Sequence, residues 1–560
     1  MAPPVGWTLE EVISFGWTSA KAERGKHHDV HRHLARYVRP QHDEFFNDGR
    51  KESTRPAIEL LWDDTPIKAN DAWARGVNSM THNQATDWFF YRDSDKLTML
   101  DAEVRDWYGL VNDDLKTECR QSSLYASLLN RLKDVGTYGF GAAYSYEGDN
   151  KGHLTFEYVP APECYFRLNR RGLPVEFIRP LNLTVSEIRE RKIEISRCSQ
   201  AVRDADNTKN NDARFQFIHF VTEREELDGY SLSDKHPVVG FYFEVNVKTI
   251  VGEHGYWDFP YHVLCWDPQP QSSYPVGIGY ITLPEIRNLN AQRKKFDRVL
   301  DNESDSPILA TNQDEGKEQA RPQAGEMIYG GMSGNGQRLY DPLYRANVGS
   351  RTLTEEIRDG RNAILEAWHN NLMLMVSNGQ MTALEVASRD EKIIQAMGPF
   401  IIPMFTDLKA IMDRIFHARM RAGAYDPLPR AFGPKTTAEI EFTGILAKAH
   451  KKLTATNITM FISEALATIG AYDPQELKAS IDSGIAMREL GEARALPAGL
   501  VRSADERDKA LQAAQQQEMQ RMALENAGKL GQAAKAGAQA VNELGGAGGG
   551  NGASGIALAP

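Results

Sequence analysis

The sequence predicts an α+β protein in which helix predominates, and three observations lead there. Residues 1–135 carry apolar side chains at three- and four-residue spacing, the period of helices buried on one face. From Gly136 to about Asp267 the period shortens, with β-branched and aromatic runs separated by Gly, Asn and Asp, the pattern of strands and turns. Beyond that, two long helical segments enclose a polar, Gly-rich insertion at 301–349.

In chain order, Trp7–Ile13 opens a helix, because Thr8 and Glu11 stand at capping-box spacing. Ala20–Val38 is polar and basic and stops at Pro40. Asp71–Phe90 and Asp101–Val135 read as helices, the second with Leu110, Leu115, Leu124, Leu128, Leu132 and Val135 as its buried stripe. Gly136-Thr137-Tyr138-Gly139-Phe140-Gly141 follows a helix and precedes a strand, the reverse of a dinucleotide-binding turn. Tight helix-to-strand packing is therefore its expected role. Strands are expected at 142–146, 154–159, 176–181, 215–222, 238–246 and 262–266. A short helix covers 183–189, with Thr184 as cap and Glu187 three residues on.

Ile281–Leu300 reads as a strong helix with Pro284 in its first turn and Ile286, Leu289, Phe296 and Leu300 on its apolar face. Arg287, Lys294 and Arg298 line up on another face, since seven and eleven residues are nearly whole numbers of turns. Arg351–Val376 is a second long helix, ending at Asn378-Gly379. Thr382–Arg421 is helical with interruptions at Gly398-Pro399 and Pro403. Residues 438–442 form a strand, and 446–470, 474–483 and 486–490 are helical. After Ser503 the chain is Ala/Gln/Glu-rich and helix-prone, then ends in a Gly-rich tail.

Composition narrows the function. The chain has 560 residues, 41% apolar and 25% charged, with net charge −11. It has no apolar run of membrane-spanning length and no basic-then-apolar leader at the start. The cysteines Cys119, Cys164, Cys198 and Cys265 are scattered and read as reduced, buried thiols. An acidic chain is a poor DNA-coating protein. The charge does not by itself exclude transient contact with DNA.

Motifs of catalysis are missing. No G-x-x-x-x-G-K-[ST] and no G-x-S-x-G occurs. His27, His28, His31 and His33 cluster beside Asp29, and an i, i+4 pair can seat a metal, but the H-E-x-x-H glutamate is absent. A solvated polar helix, with Lys21, Arg24, Lys26, Arg32 and Arg36 nearby, is the expectation. Asp63-Asp64 and the run Asp301, Glu303, Asp305 lack the further ligand a two-metal nuclease needs and read as a helix end and a loop. No catalytic, cofactor-binding or metal-binding residue is assigned.

Several segments together carry a family resemblance. They are Val135–Tyr144, Val159–Phe166, Gly172–Leu181, Gly277–Asn290, Thr382–Arg389, Pro403–Phe405 through Ile415-Phe416, and Gly423–Pro427. In number and order they resemble the portal (head-to-tail connector) proteins of short-tailed, podovirus-type bacteriophages. Thr382-Ala383-Leu384-Glu385-Val386 departs mildly from the more usual Thr-Ala-Thr-Glu-Val.

The resemblance implies a portal fold with a wing, a two-helix stem, an α/β clip, a helical crown and a C-terminal helical barrel. Laid on this chain, the wing is 1–280, the stem 281–300 and 350–376, and the clip 301–349. The channel loop is 377–395, a kinked wing helix and strand 396–445, the crown 446–502, and a barrel helix with flexible tail 503–560. It further implies a ring of twelve copies at one capsid vertex of the virion, conducting double-stranded DNA in packaging and ejection. The implied partners are other copies of the chain, the terminase motor, major capsid and scaffolding proteins, the tail adaptor and internal core proteins. Arg287, Lys294, Arg298, Asn378 and Gln380 are the implied DNA-channel residues. Arg321, Tyr329, Arg338 and Tyr340 are the implied adaptor-binding residues of the clip. The rival readings are an adaptor-type ring protein without the stem–clip–stem pattern, and a phage nuclease or hydrolase, which needs a site the sequence lacks.

Overall fold

The computed structural model describes residues 6–42, 61–94, 102–148, 152–169, 172–208, 212–227, 229–233, 235–267, 272–304, 308–310, 340–342, 349–370, 383–428, 438–443, 458–465, 467–468, 490, 516–517, 519–522 and 535. The chain divides into two units, 1–450 and 451–560. In the second unit, the described residues 458–465 are helical, with Met460 and Phe461 exposed.

Within the first unit, α1 (Leu9–Gly25) starts as expected: Thr8 Oγ1 accepts from the Glu11 amide while the Glu11 carboxylate accepts from the Thr8 amide. Helix α2 (His28–Val38) follows, then α3 (Thr65–Thr81), with Pro66 in its first turn. The expected helix 71–90 ends early, at Thr81, and 89–93 is a strand, β1 (Phe89–Asp93). The expected single helix 101–135 is two, α4 (Ala102–Gln121) and α5 (Leu124–Tyr138), broken at Ser122-Ser123. Leu115, Leu124, Leu128, Leu132 and Val135 are buried, whereas Leu110 is exposed.

The six strands expected between 142 and 266 form as β2 (Phe140–Glu147), β3 (Leu154–Val159), β5 (Pro174–Thr184), β6 (Arg214–Glu223), β7 (Val238–Glu244) and β9 (Tyr261–Cys265), the last two ending short of the expected 246 and 266. The unforeseen β4 (Tyr165–Leu168) and β8 (Thr249–Tyr256) join them. They make a three-stranded sheet, β3-β2-β9, and a five-stranded antiparallel sheet, β4-β5-β6-β7-β8. Between β5 and β6 lie α6 (Val185–Glu190), with the Thr184/Glu187 capping box, and α7 (Gln200–Asn207). Both faces of β7 are buried. Phe177 stacks on Tyr261 at 4.0 Å and joins the two sheets.

The later helices are α8 (Ile278–Ser304), α9 (Gly349–Ala367) and α10 (Ala383–Arg421). Strands β10 (Ile308–Ala310) and β11 (Tyr340–Pro342) pair antiparallel between α8 and α9. Strand β12 (Ala438–Phe442) pairs antiparallel with β1. Three expectations change here. Pro284 sits inside α8 rather than in its first turn. Helix α9 stops at Ala367, where His369 takes a positive φ of 52°, instead of running to Val376. Helix α10 is continuous through Pro399 and Pro403, so residues 383–395, assigned to a loop, are its first turns.

Several buried charges in this unit are paired. Arg131 meets Asp407 at 2.5 Å. Arg179 donates to Glu163 (2.9 Å) and Glu157 (2.8 Å). Asp134 accepts from Tyr158 Oη (2.5 Å) and the Ala161 amide (3.0 Å) and faces Arg39 Nε at 3.2 Å. An opposite charge or hydrogen-bond partner offsets part of the cost of burying each of these groups.

Candidate functional site

The site begins where two glycine-rich segments meet. Gly139 caps α5 with φ +90°, a conformation that favours glycine. A Cβ there would lie 2.6 Å from the Gly277 amide nitrogen. Gly277 and Gly279 are equally constrained: a Cβ at Gly279 would lie 2.5 Å from the Thr137 carbonyl oxygen. The glycines of 136–141 thus serve tight packing, as the sequence suggested. Gly136 packs on Asn70, Trp73 and Trp368 and Gly141 on Arg131, while Gly139 meets Gly277 and Gly279 meets Thr137, a backbone-to-backbone seat for the start of α8.

Helix α8 buries Ile278, Thr282, Leu283, Ile286 and Leu289. Helix α9 buries Ile357 and Ile364 against the same core, followed by Trp368. The two run antiparallel: Gly360 approaches Glu285 and Leu289, and Gln292 donates to Glu356 at 3.1 Å. Arg361 fixes α9 to the start of α3 through Asp63, at 2.9 Å from Nε and 2.7 Å from Nη2. Asp63 also accepts from the Thr65 amide, and these donors lower its pKa against the opposing effect of burial. Asp64 pairs with Lys68. The Asp63-Asp64 pair is therefore structural, and among the described residues no group of three His, Cys, Asp or Glu side chains is arranged to hold a metal.

Arg287, Lys294 and Arg298 are all exposed on the outer side of α8 and fall on one stripe. Lys294 sits 5.7 Å from the centre of the Trp62 ring, whose backbone amide donates to Asn290 at 2.8 Å. Arg293 instead pairs with Asp297 at 3.2 Å. The charge of Arg287 reaches His33 on α2 and contributes to lowering its pKa, after burial. Of the other assigned positions, Tyr340 lies in β11, opposite Ala310. Asn378, Gln380, Arg321, Tyr329 and Arg338 lie outside the described residues.

Sequence reasoning missed a second stripe. On α9, Glu355, Asp359 and Glu366 are exposed and lie opposite its buried Ile357–Ile364 face. Their i, i+4, i+11 spacing was the available signal.

The histidine cluster is corrected at one position. His31 is buried and packs edge-on to Tyr138 at 5.6 Å and Tyr274 at 6.0 Å. His27 precedes α2 and lies 3.1 Å from Ser272 Oγ. Arg24 is buried too, donating to the carbonyls of Cys164 (2.7 Å) and Ala161 (3.0 Å). Arg24 and His31 thus hold α1 and α2 against the sheets, while Lys21, Lys26 and Arg32 remain exposed, as a polar surface helix predicts.

The family model for bacteriophage head to tail connecting proteins matches residues 11–501. This chain belongs to that family. The portal protein of Salmonella phage epsilon15 is 23% identical over 518 residues, covering 89% of this chain and 91% of that protein. The probable portal protein of Bordetella phage BPP-1 is 22% identical over 481 residues, covering 84% and 85%. Among solved structures, a chain from the neck of an empty gene transfer agent particle aligns with TM-score 0.36 and 12% identity, covering 77% of this chain and 92% of that one. A chain from the virion of a native gene transfer agent particle aligns with TM-score 0.35 and 11% identity, covering 80% and 96%. Among the described residues, no helix is long and apolar enough to cross a membrane.

Proposed function

We propose that this protein is a phage portal subunit: copies close into a ring at one capsid vertex, and double-stranded DNA passes through it. The observation that carries the reading is the family match across 11–501, joined by two relatives that bear the name portal protein. The antiparallel pair α8/α9, seated on glycine and enclosing the segment 305–348, supports a stem–clip–stem plan, which an adaptor-type ring protein would lack.

In this assignment the stem is 278–304 with 349–367, and the clip lies between. The body 1–277 with 396–445 is the wing, 377–382 the channel loop, 446–502 the crown and 503–560 the barrel helix and tail. The role is mechanical: the ring holds, docks and conducts, while a separate motor supplies energy. Exposed stem cations offer phosphate weak, salt-sensitive contacts. Arg287, Lys294 and Arg298, with Asn378 and Gln380, take that position. The clip, including Arg321, Tyr329, Arg338 and Tyr340, takes the terminase and then the tail adaptor.

Electron microscopy of the purified protein tests this. Rings with a central hole wide enough for duplex DNA are expected. A protein that stays monomeric or dimeric at all concentrations overturns the reading.

A further inference from the structure

The two stripes on the stem hairpin have complementary charge and complementary spacing. Along α8, Arg287, Lys294 and Arg298 are separated by seven and then four residues. Along α9, read backwards, Glu366, Asp359 and Glu355 are also separated by seven and then four. All six residues are exposed, and each stripe spans eleven residue steps, about 16 Å of helix. Within one chain the stripes do not meet, because the helices contact each other through Leu289, Gly360, Gln292 and Glu356.

We propose that the stripes pair between adjacent copies: Arg287 with the neighbour's Glu366, Lys294 with its Asp359, and Arg298 with its Glu355. The proposal rests on the ring reading and names the partner of its stem. A ring closed by rotation uses a heterologous joint, in which one face of each copy meets a different face of the next. Rotation about an axis along the stem preserves helix direction. One copy's α8 therefore lies antiparallel to the next copy's α9, which is the orientation the reversed spacing requires. Compared with the contacts inside one chain, the pairing is displaced along the helix by about five residues, or about 7 Å, an offset that tilt of the stem supplies.

Three stacked pairs in one joint form a network, which orients and selects partners better than an isolated surface pair does. The pairing also bears on transit. Cations shared with carboxylates hold phosphate weakly, so the duplex meets a wall that is already largely neutralised.

The test uses two charge-reversed full-length chains. One carries Arg287→Glu, Lys294→Glu and Arg298→Glu, making both stripes acidic. The other carries Glu355→Lys, Asp359→Lys and Glu366→Lys, making both basic. Each alone should show at least a tenfold lower ring fraction by electron microscopy and sedimentation, while circular dichroism matches the original protein. Mixed in equal amounts, the two should restore rings with alternating subunits. Rings from either variant alone at the original level, or no rescue on mixing two folded variants, overturns the pairing. Failure of the unaltered chain to form rings overturns the portal reading instead.

Discussion

Arg131 Nη2 donates to Asp407 Oδ2 at 2.5 Å, tying α5 to α10 across 276 residues of sequence inside the core. Burial raises the Asp407 pKa, and the Arg131 charge opposes that rise. Removing one partner strands the other's charge in a dry site. Asp407→Ala should therefore cost about 3–5 kcal/mol, read as a lower urea midpoint. The double change Arg131→Met with Asp407→Leu should cost less than Asp407→Ala alone, because no unpaired charge remains.

Glycine at the α5–β2 turn should be irreplaceable. Gly139 and Gly172 both have positive φ, +90° and +78°, but only Gly139 has neighbours that a Cβ would strike. Gly172→Ala carries the backbone penalty alone, about 1–2 kcal/mol. Gly139→Ala adds overpacking of about 1–3 kcal/mol. Equal losses in thermal stability would mean that the seat of α8 yields more readily than its geometry indicates.

Acid should loosen the body through its histidines. Burial lowers the pKa of His42 to about 4 and of His82 to about 3, and holds His31, His219 and His262 well below 6.5. Unfolding returns each to its ordinary value, so between about pH 6.5 and 4 the unfolded chain binds more protons than the folded one. Stability is full above pH 6.5 and falls as the pH drops, by up to about 1.4 kcal/mol per pH unit for each such histidine. His417 acts the other way, because its hydrogen bond to Asp258 raises its pKa. Its contribution is complete below 6.5 and is lost as pH rises through the folded value. Urea midpoints at pH 7.5, 6 and 5 should decrease in that order.

Thiol chemistry should be silent until the body opens. All four cysteines are free and buried, and burial raises their pKa values, that of Cys198 to about 11 and of Cys265 to about 12. A thiol needs its thiolate to react. An aromatic disulfide reagent should find none in the native protein within minutes and four after denaturation. Rapid native labelling would indicate an opening of the core around one of them.

What could be read in the sequence was local. Capping boxes at Thr8/Glu11 and Thr184/Glu187, six strands and the α8 stripe follow from spacing within a few residues. The errors share one cause, a partner far along the chain. Phe89–Asp93 continues a helical-looking stretch, and only its pairing with Ala438–Phe442 makes it a strand. His31 and Arg24 look like parts of a wet basic run until the sheet residues Phe140 and Tyr165, with Tyr274, close over them. The α8 stripe was legible because its residues share one helix. The α9 stripe was equally regular, but its meaning depends on a second helix read in the opposite direction.

The β1–β12 ladder sets a schedule for making the protein. Phe89 pairs with Phe442, and the Thr443 amide closes the end of the ladder onto the Trp88 carbonyl at 2.7 Å. At bacterial or slower synthesis speeds of about 5–20 residues per second, roughly 18–70 s separate the appearance of the two strands. Throughout that interval the nascent chain carries an unpaired strand edge, a surface prone to mispairing. A ribosome that stalls before residue 442 releases a body that lacks this clasp. The clasp thus depends on residues made more than 340 positions after its first strand.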